Sequence, residues 1–143
     1  MSPAPAAAAT VSPRPLPVPK LTPKLEGAPP PLAPYSVVTE AQGLVFVSGQ
    51  IAIHPTTGET PDAVTDQTQL ILHNIGNILG ELGLTYSDIV KTTVFLTDIR
   101  DFGAVNAVYA SFFDDEPPAR SAVGVAALPL AGLKIEIEAI AAR

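Results

Sequence analysis

Arg120 and the pair Glu136 and Glu138 are the residues whose types and spacing could do chemistry together. Arg120 heads an apolar run in Pro118-Ala119-Arg120-Ser121. The glutamates stand two positions apart in Lys134-Ile135-Glu136-Ile137-Glu138, so an extended strand presents both on one face. A guanidinium is permanently charged, and its planar fork matches a carboxylate in two-point contact. A carboxylate in apolar surroundings stays neutral to higher pH, which suits it to act as a general acid or base. Together such groups can hold a small organic acid and handle a proton beside it. Taken alone, Arg120 also reads as a strand-edge residue, solvated or paired with Asp114, Asp115 or Glu116, and the glutamates as a solvated strand face.

Fewer options surround the other polar residues. Ser48-Gly49-Gln50 ends an apolar run. Gly49 there either serves a turn or lets a ligand approach the backbone, and Ser48 has no adjacent His or Lys to activate it. Tyr35 follows Pro34 and reads as a packing residue with a wet hydroxyl. Asn106 lies at the edge of an apolar helical stripe, where a buried amide needs partners. His54 and His73 are the only histidines and cysteine is absent, so no metal-ligand spacing and no disulfide is expected. Walker, GxGxxG and aromatic-basic patterns are missing as well.

Positioning these residues takes a globular body, and 143 residues at 47% apolar content suffice for one domain with a core. Eleven of the sixteen prolines fall in residues 1–34, which predicts an extended or flexible Pro/Ala-rich tail over 1–31 and a body over 32–143. The tail has no acid before Glu26 and so has some character of an organelle transit peptide, but its prolines prevent an amphipathic helix. The expectation is a cytoplasmic protein, with an organelle as the alternative if the tail is a targeting segment. Residues 35–143 hold five Lys/Arg against thirteen Asp/Glu, a net −8 that repels phosphate backbones and anionic lipid. Neither nucleic acid nor a membrane is expected as a partner, and no run of about 18 apolar residues is present.

Leu44 to Ser48 reads as a buried strand and Pro55 to Gly58 as a turn. Val64, Thr68, Ile71, Leu72, Ile75, Ile78, Leu79 and Leu82 recur at helical spacing, with Asp62 expected as N-cap and Gly83 as terminator. Ile89–Leu96 is a β-branched run. Asp98 or Asp101 is expected to cap a second helix carrying Phe102, Val105, Val108, Tyr109, Phe112 and Phe113, which Pro117-Pro118 stops. Two strands close the chain, Ser121–Leu128 and Lys134–Ile140, and residues 20–26 can add an edge strand. The result is an α+β fold, a single mixed sheet with two helices on one face. Parity sets Arg120, Ala122 and Gly124 opposite Val123 and Val125, and sets Glu136 and Glu138 opposite Ile135 and Ile137. On this reading Arg120 and the glutamates share the face the helices cannot cover, together with Val90, Val94 and Leu96. Burying that face against other copies predicts a homo-oligomer.

The segments PYSVVTEAQGLVFVSGQI, DIVKTTVFLTDIRDFGAVNAVYASFF, PARSAVGVAALP and KIEIEAIAAR together resemble the reactive intermediate deaminase family (RidA/YjgF), over about residues 32–143. The resemblance implies a chorismate-mutase-like fold in a barrel-like homotrimer with ligand sites between subunits. It implies a 2-iminobutanoate/2-iminopropanoate deaminase. Such an enzyme hydrolyses 2-aminoacrylate and related 2-imino acids, released by PLP-dependent dehydratases, to 2-keto acids and ammonia without a cofactor. The family's carboxylate-binding arginine falls on Arg120 and its water-handling glutamate on Glu136. Its cleft-lining tyrosine and serine fall on Tyr35 and Ser48 and its helix asparagine on Asn106, with Gly49 and Ala122 contributing backbone. Many members have cysteine where this chain has Ala122, so thiol chemistry is excluded at that position. Members that have lost the arginine generally lack deaminase activity, so the resemblance implies that Arg120 places this chain with the active ones. The alternatives are a small-acid-binding or regulatory member without turnover, and a ribonuclease or translation inhibitor.

Overall fold

The computed structural model describes residues 19–28 and 30–143. They form β1 (Val38–Ala41), β2 (Leu44–Ile51), α1 (Val64–Glu81), β3 (Ile89–Leu96), α2 (Phe102–Ala110), β4 (Ala119–Gly124) and β5 (Ile135–Ala142). The strands make one mixed sheet in the order β1-β2-β5-β3-β4, antiparallel except for the parallel pair β3 and β4. Most of the expected transit-peptide segment lies outside the described residues. Within them Leu21 bridges to Glu40 of β1, and the amides of Glu26 and Gly27 donate to the Glu81 carboxylate. No described helix is long and apolar enough to cross a membrane.

Helix α1 follows its apolar periodicity. Ile71, Leu72, Ile75 and Leu79 are fully buried, where they meet Val45, Val47, Ile135, Ile137 and Ala141 of the sheet. Its N-terminus differs from expectation, because Ala63, not Asp62, occupies the cap position and no side chain caps it. Asp66 in the first turn still opposes the positive end of the helix dipole. Its C-terminus is as expected. Gly83 takes φ +74°, its amide donates to Gly80 O at 3.1 Å, and the Leu84 amide donates to Leu79 O at 2.8 Å. Those two bonds satisfy carbonyls that the helix end would leave free. Buried Gln67 ties the start of α1 to the loop before β5, donating to Pro61 O and Gly132 O and accepting from the Lys134 amide.

The faces of β3 and β4 correct the parity reading. Val94 and Leu96 are fully buried beneath the helices, whereas Val90 is 46% exposed on the other side of the sheet. A register irregularity between Ile89 and Lys91 separates Val90 from its neighbours in parity. On β4, Arg120 pairs with buried Thr92, and Ala122 with buried Val94. Paired residues of neighbouring strands share a face, so Arg120 and Ala122 point to the helix side and Ser121 and Val123 to the uncovered side. Strand β4 also ends at Gly124, four residues short of the expected Leu128. The uncovered face carries Phe46 at 40% and Val123 at 43% exposure, beside Ile51, Phe95 and Ile140.

Candidate active site

The structure sorts the candidate residues into two groups on opposite sides of the sheet. The first gathers at the β4 edge, on the helix side. Phe102, Asn106 and Tyr109 recur at helical spacing along α2 and form the face that meets Arg120. The Arg120 guanidinium donates to Asn106 Oδ1 at 2.8 Å. Its central carbon lies 5.4 Å from the centroid of Phe102 and 4.8 Å from that of Tyr109. Aromatic faces attract a cation electrostatically, so the head is fixed by one hydrogen bond and two rings. Tyr109 is held in turn, because its hydroxyl and that of buried Thr92 are 2.7 Å apart in a hydrogen bond. Burial pushes the Tyr109 phenol above its ordinary range, which keeps it neutral.

Arg120 opens on a cleft of about 500 Å³ whose lining includes Asn106, Tyr109, Phe113, Pro117 and Pro118. Asp114 also lines it, yet among the described residues the ion pairs are Arg100 with Asp98 and Arg143 with Glu40, and Arg120 has none. The strand-edge alternative, in which Asp114, Asp115 or Glu116 neutralises it, is not what forms. A fixed, half-buried, unpaired guanidinium at the mouth of a cleft has the chemistry to receive an anion. Its remaining N–H groups are free to make the two-point contact a carboxylate offers.

The second group lies on the uncovered face. Glu136 pairs with Phe95 of β3 and Ile51 of β2, both partly buried. Burial, and then the charge of Glu138, pushes its carboxyl above the ordinary range. Glu138 is exposed. A register shift between Val47 and Gln50 makes a bulge of Ser48-Gly49, and the Glu136 carboxylate lies directly over Gly49. Ser48 is committed to structure: its Oγ donates to Ser36 O at 2.6 Å and its amide to Val37 O at 2.9 Å. Those bonds tie down the segment after Tyr35, whose side chain is 54% exposed. His54 Nδ1 accepts from the Thr56 and Thr57 amides and closes the turn there.

Within one copy the two groups do not meet. The row through Glu136 and Phe95 reaches β4 at Val123, three residues beyond Arg120. At about 4.8 Å between strands and 3.3 Å per residue, the backbones are about 14 Å apart, with the sheet between their side chains. Phe102, Tyr109 and Thr92 entered the sequence reading only as apolar or strand residues. The spacing of Phe102, Asn106 and Tyr109 was the available signal, an aromatic-amide-aromatic face on one helix.

A family model described as Endoribonuclease L-PSP matches residues 25–143. Over 117 residues the chain is 50% identical to a protein of Arabidopsis thaliana named Reactive Intermediate Deaminase A, chloroplastic. That alignment covers 81% of this chain and 62% of the plant protein, so the chain spans less than two thirds of that relative. It is 42% identical over 115 residues to the mouse protein named 2-iminobutanoate/2-iminopropanoate deaminase, covering 80% of this chain and 84% of that one. Among solved structures, E. coli TdcF with bound serine superposes with a TM-score of 0.78 at 46% identity, covering 84% of this chain and 96% of that one.

Proposed function

The chain belongs to the Endoribonuclease L-PSP family, the family of the reactive intermediate deaminases, and on that premise we propose that it hydrolyses 2-imino acids to 2-keto acids and ammonia. The observation that carries this reading is the braced and unpaired guanidinium of Arg120 at its cleft. A 2-imino acid has a carboxylate next to an electrophilic C=N carbon, so gripping the carboxylate in a fork fixes the carbon to be attacked. Phe102 and Tyr109 leave the guanidinium little freedom, so the carbon is placed with little further ordering.

Water then adds across the C=N bond. Its oxygen bonds to carbon, and its proton passes through the Glu136 carboxylate to the nitrogen. The carbinolamine then collapses: its hydroxyl proton passes through the same carboxylate to the amino nitrogen, the C–N bond breaks, ammonia leaves and the 2-keto acid remains. A carboxyl group held above its ordinary pKa is a better proton carrier near neutral pH than an exposed one. Arg120 and Glu136 lie on opposite sheet faces, so this chemistry is assembled from two copies. The apolar uncovered face around Phe46 and Val123 supports that assembly, a homotrimer with sites between subunits. Asn106 holds Arg120, Ser48 holds the bulge, and Tyr35 and the backbone at Ala122 complete the cleft walls. PLP-dependent dehydratases release substrates of this class, with 2-iminobutanoate and 2-iminopropanoate the first to try.

The test couples this protein to a PLP-dependent threonine or serine dehydratase and follows imine decay where spontaneous hydrolysis is slow. Wild type accelerates the decay and Arg120→Ala does not. Equal decay with both variants refutes the deaminase reading. Retained 2-keto acid binding without turnover makes the protein a sensor instead. RNA cleavage that survives repurification and disappears in a cleft variant makes it a ribonuclease, a reading that the net −8 of residues 35–143 opposes.

A further inference from the structure

Glu136 rests against a residue that has no side chain, and the backbone there gives no conformational reason for a glycine. Gly43, Gly58, Gly83 and Gly132 have left-handed backbone, and Gly49 is not among them. What Gly49 supplies is room. A Cβ built on it would lie 2.7 Å from Glu136 Oε2, 2.9 Å from Cδ and 3.2 Å from Cγ. A methyl group and this carboxylate cannot occupy those positions together. The backbone of the bulge is the less yielding side. The Ser48 amide and hydroxyl hold it to Val37 O and Ser36 O, and Gln50 Nε2 donates to Ser48 O at 3.0 Å. The glutamate end is flexible and half-buried, so it is the part that moves.

We propose that Gly49 is a positioning residue: its missing side chain lets the Glu136 carboxylate fold back over the β2 bulge, which fixes where the proton carrier stands. The role in hydration rests on the function proposed above, but the steric coupling of the two residues does not. A methyl group at position 49 drives the carboxylate outward, off the β2 bulge and into the proposed intersubunit cleft, at little cost to the fold because only a side-chain end shifts. Displacing a reacting group by about 1 Å can lower a rate about 100-fold.

The experiment compares Gly49→Ala, Glu136→Asp and the double variant with wild type, in the full chain. Gly49→Ala is expected to keep the wild-type unfolding midpoint, to lose about 10- to 100-fold in kcat, and to hold KM within about threefold because Arg120 still grips the substrate. Aspartate is one methylene shorter and withdraws from the added methyl. Glu136→Asp therefore lowers kcat when introduced into the wild type and raises it several-fold when introduced into the Gly49→Ala variant. Equal fractional losses in both backgrounds, or an unchanged kcat in Gly49→Ala, overturn the proposal.

A second readout needs no turnover, the ¹³C titration of the Glu136 carboxyl. Burial raises it first and Glu138 is the charged neighbour that adds to the rise, while Gly49 and Ile51 on β2 and Phe95 on β3 do not titrate. Gly49→Ala moves the midpoint down toward the ordinary carboxylate range, and an unmoved midpoint overturns the proposal. A moved midpoint in a protein without turnover sinks the deaminase reading and leaves the positioning intact.

Discussion

If Arg120 and Glu136 act on one substrate, they act from two copies of the chain, and subunit mixing tests that directly. Arg120→Ala removes the carboxylate fork and Glu136→Gln removes the proton carrier. A lost hydrogen bond to a charged group costs about 1.5–3 kcal/mol, so each single variant should fall roughly 10- to 150-fold in kcat/KM. The two variants are then refolded together in equal amounts, with a different affinity tag on each, and the full statistical mixture of assemblies is assayed once the tags have confirmed that subunits exchanged. A cross-chain site is intact when its arginine comes from a Glu136→Gln copy and its glutamate from an Arg120→Ala copy. Random assortment in a closed ring makes about one quarter of the sites intact, so activity should recover to about a quarter of wild type. Wild type mixed with the double variant gives the complementary number. About one quarter of its sites survive if the residues come from two copies, and about one half if they come from one. Recovery rests on the faces of the sheet: Arg120 pairs with Thr92 beneath α2, and Glu136 pairs with Phe95 on the uncovered side. A mixture of single variants that stays at the level of its parents, alongside a wild-type and double-variant mixture near one half, would refute the two-face argument.

Three further outcomes follow from side chains around the site and core. Glu136→Gln should be more stable than wild type at neutral pH, because burial raises the folded-state pKa above that of the unfolded chain. Stability linked to a raised carboxyl pKa is fully present below the unfolded value and is lost as pH rises through the folded one. The advantage of the variant must therefore disappear near pH 4, and denaturant unfolding at both pH values that shows the same difference would contradict it. Tyr109→Phe leaves the buried Thr92 hydroxyl without its partner and should cost about 1–3 kcal/mol in the same measurement, where a neutral result would contradict the hydrogen bond. Gly76→Ala should destabilise α1 although alanine gains about 1 kcal/mol of helix propensity, since its Cβ would sit 2.2 Å from the Tyr86 hydroxyl and 2.6 Å from Cζ. A raised melting temperature for Gly76→Ala would show that Tyr86, bound through its hydroxyl to Leu72 O, leaves that niche at no cost.

Helix α1 was legible in the sequence because its signals are local: an apolar stripe at three- and four-residue spacing, and a glycine where the chain must turn left-handed. Strands β2, β3 and β5 were legible for the same reason, as short apolar or β-branched runs. Arg120, Asn106, Glu136 and Gly49 were legible as candidates, the first two as a contacting pair only once α2 was set over β4. The N-cap was not legible, because Asp62 is a good capping type one position too early. Nor was the end of β4 at Gly124, since Val125 still continues one bond to Leu96 O before the chain leaves the sheet.

The face of Arg120 was the consequential error, and its cause is general. Parity along a strand says which residues are together, but not which group faces the helices. That is set by register against a neighbour, and register is a long-range property of pairing. Thr92 opposite Arg120 decides it here. The apolar side of β4 could not be identified from its own residues, because Ala122 and Val123 are both apolar and point opposite ways. The half-buried Arg120 is tolerated on the helix side because α2 offers it an amide and two rings, which replace part of the water it loses. An arginine held there lies at the sheet edge, where a neighbouring copy can bring the uncovered face of its own sheet, and with it Glu136, against the cleft. The helix-side face of Arg120 is therefore the observation on which the proposed two-copy site rests, because within one copy the sheet stands between Arg120 and Glu136.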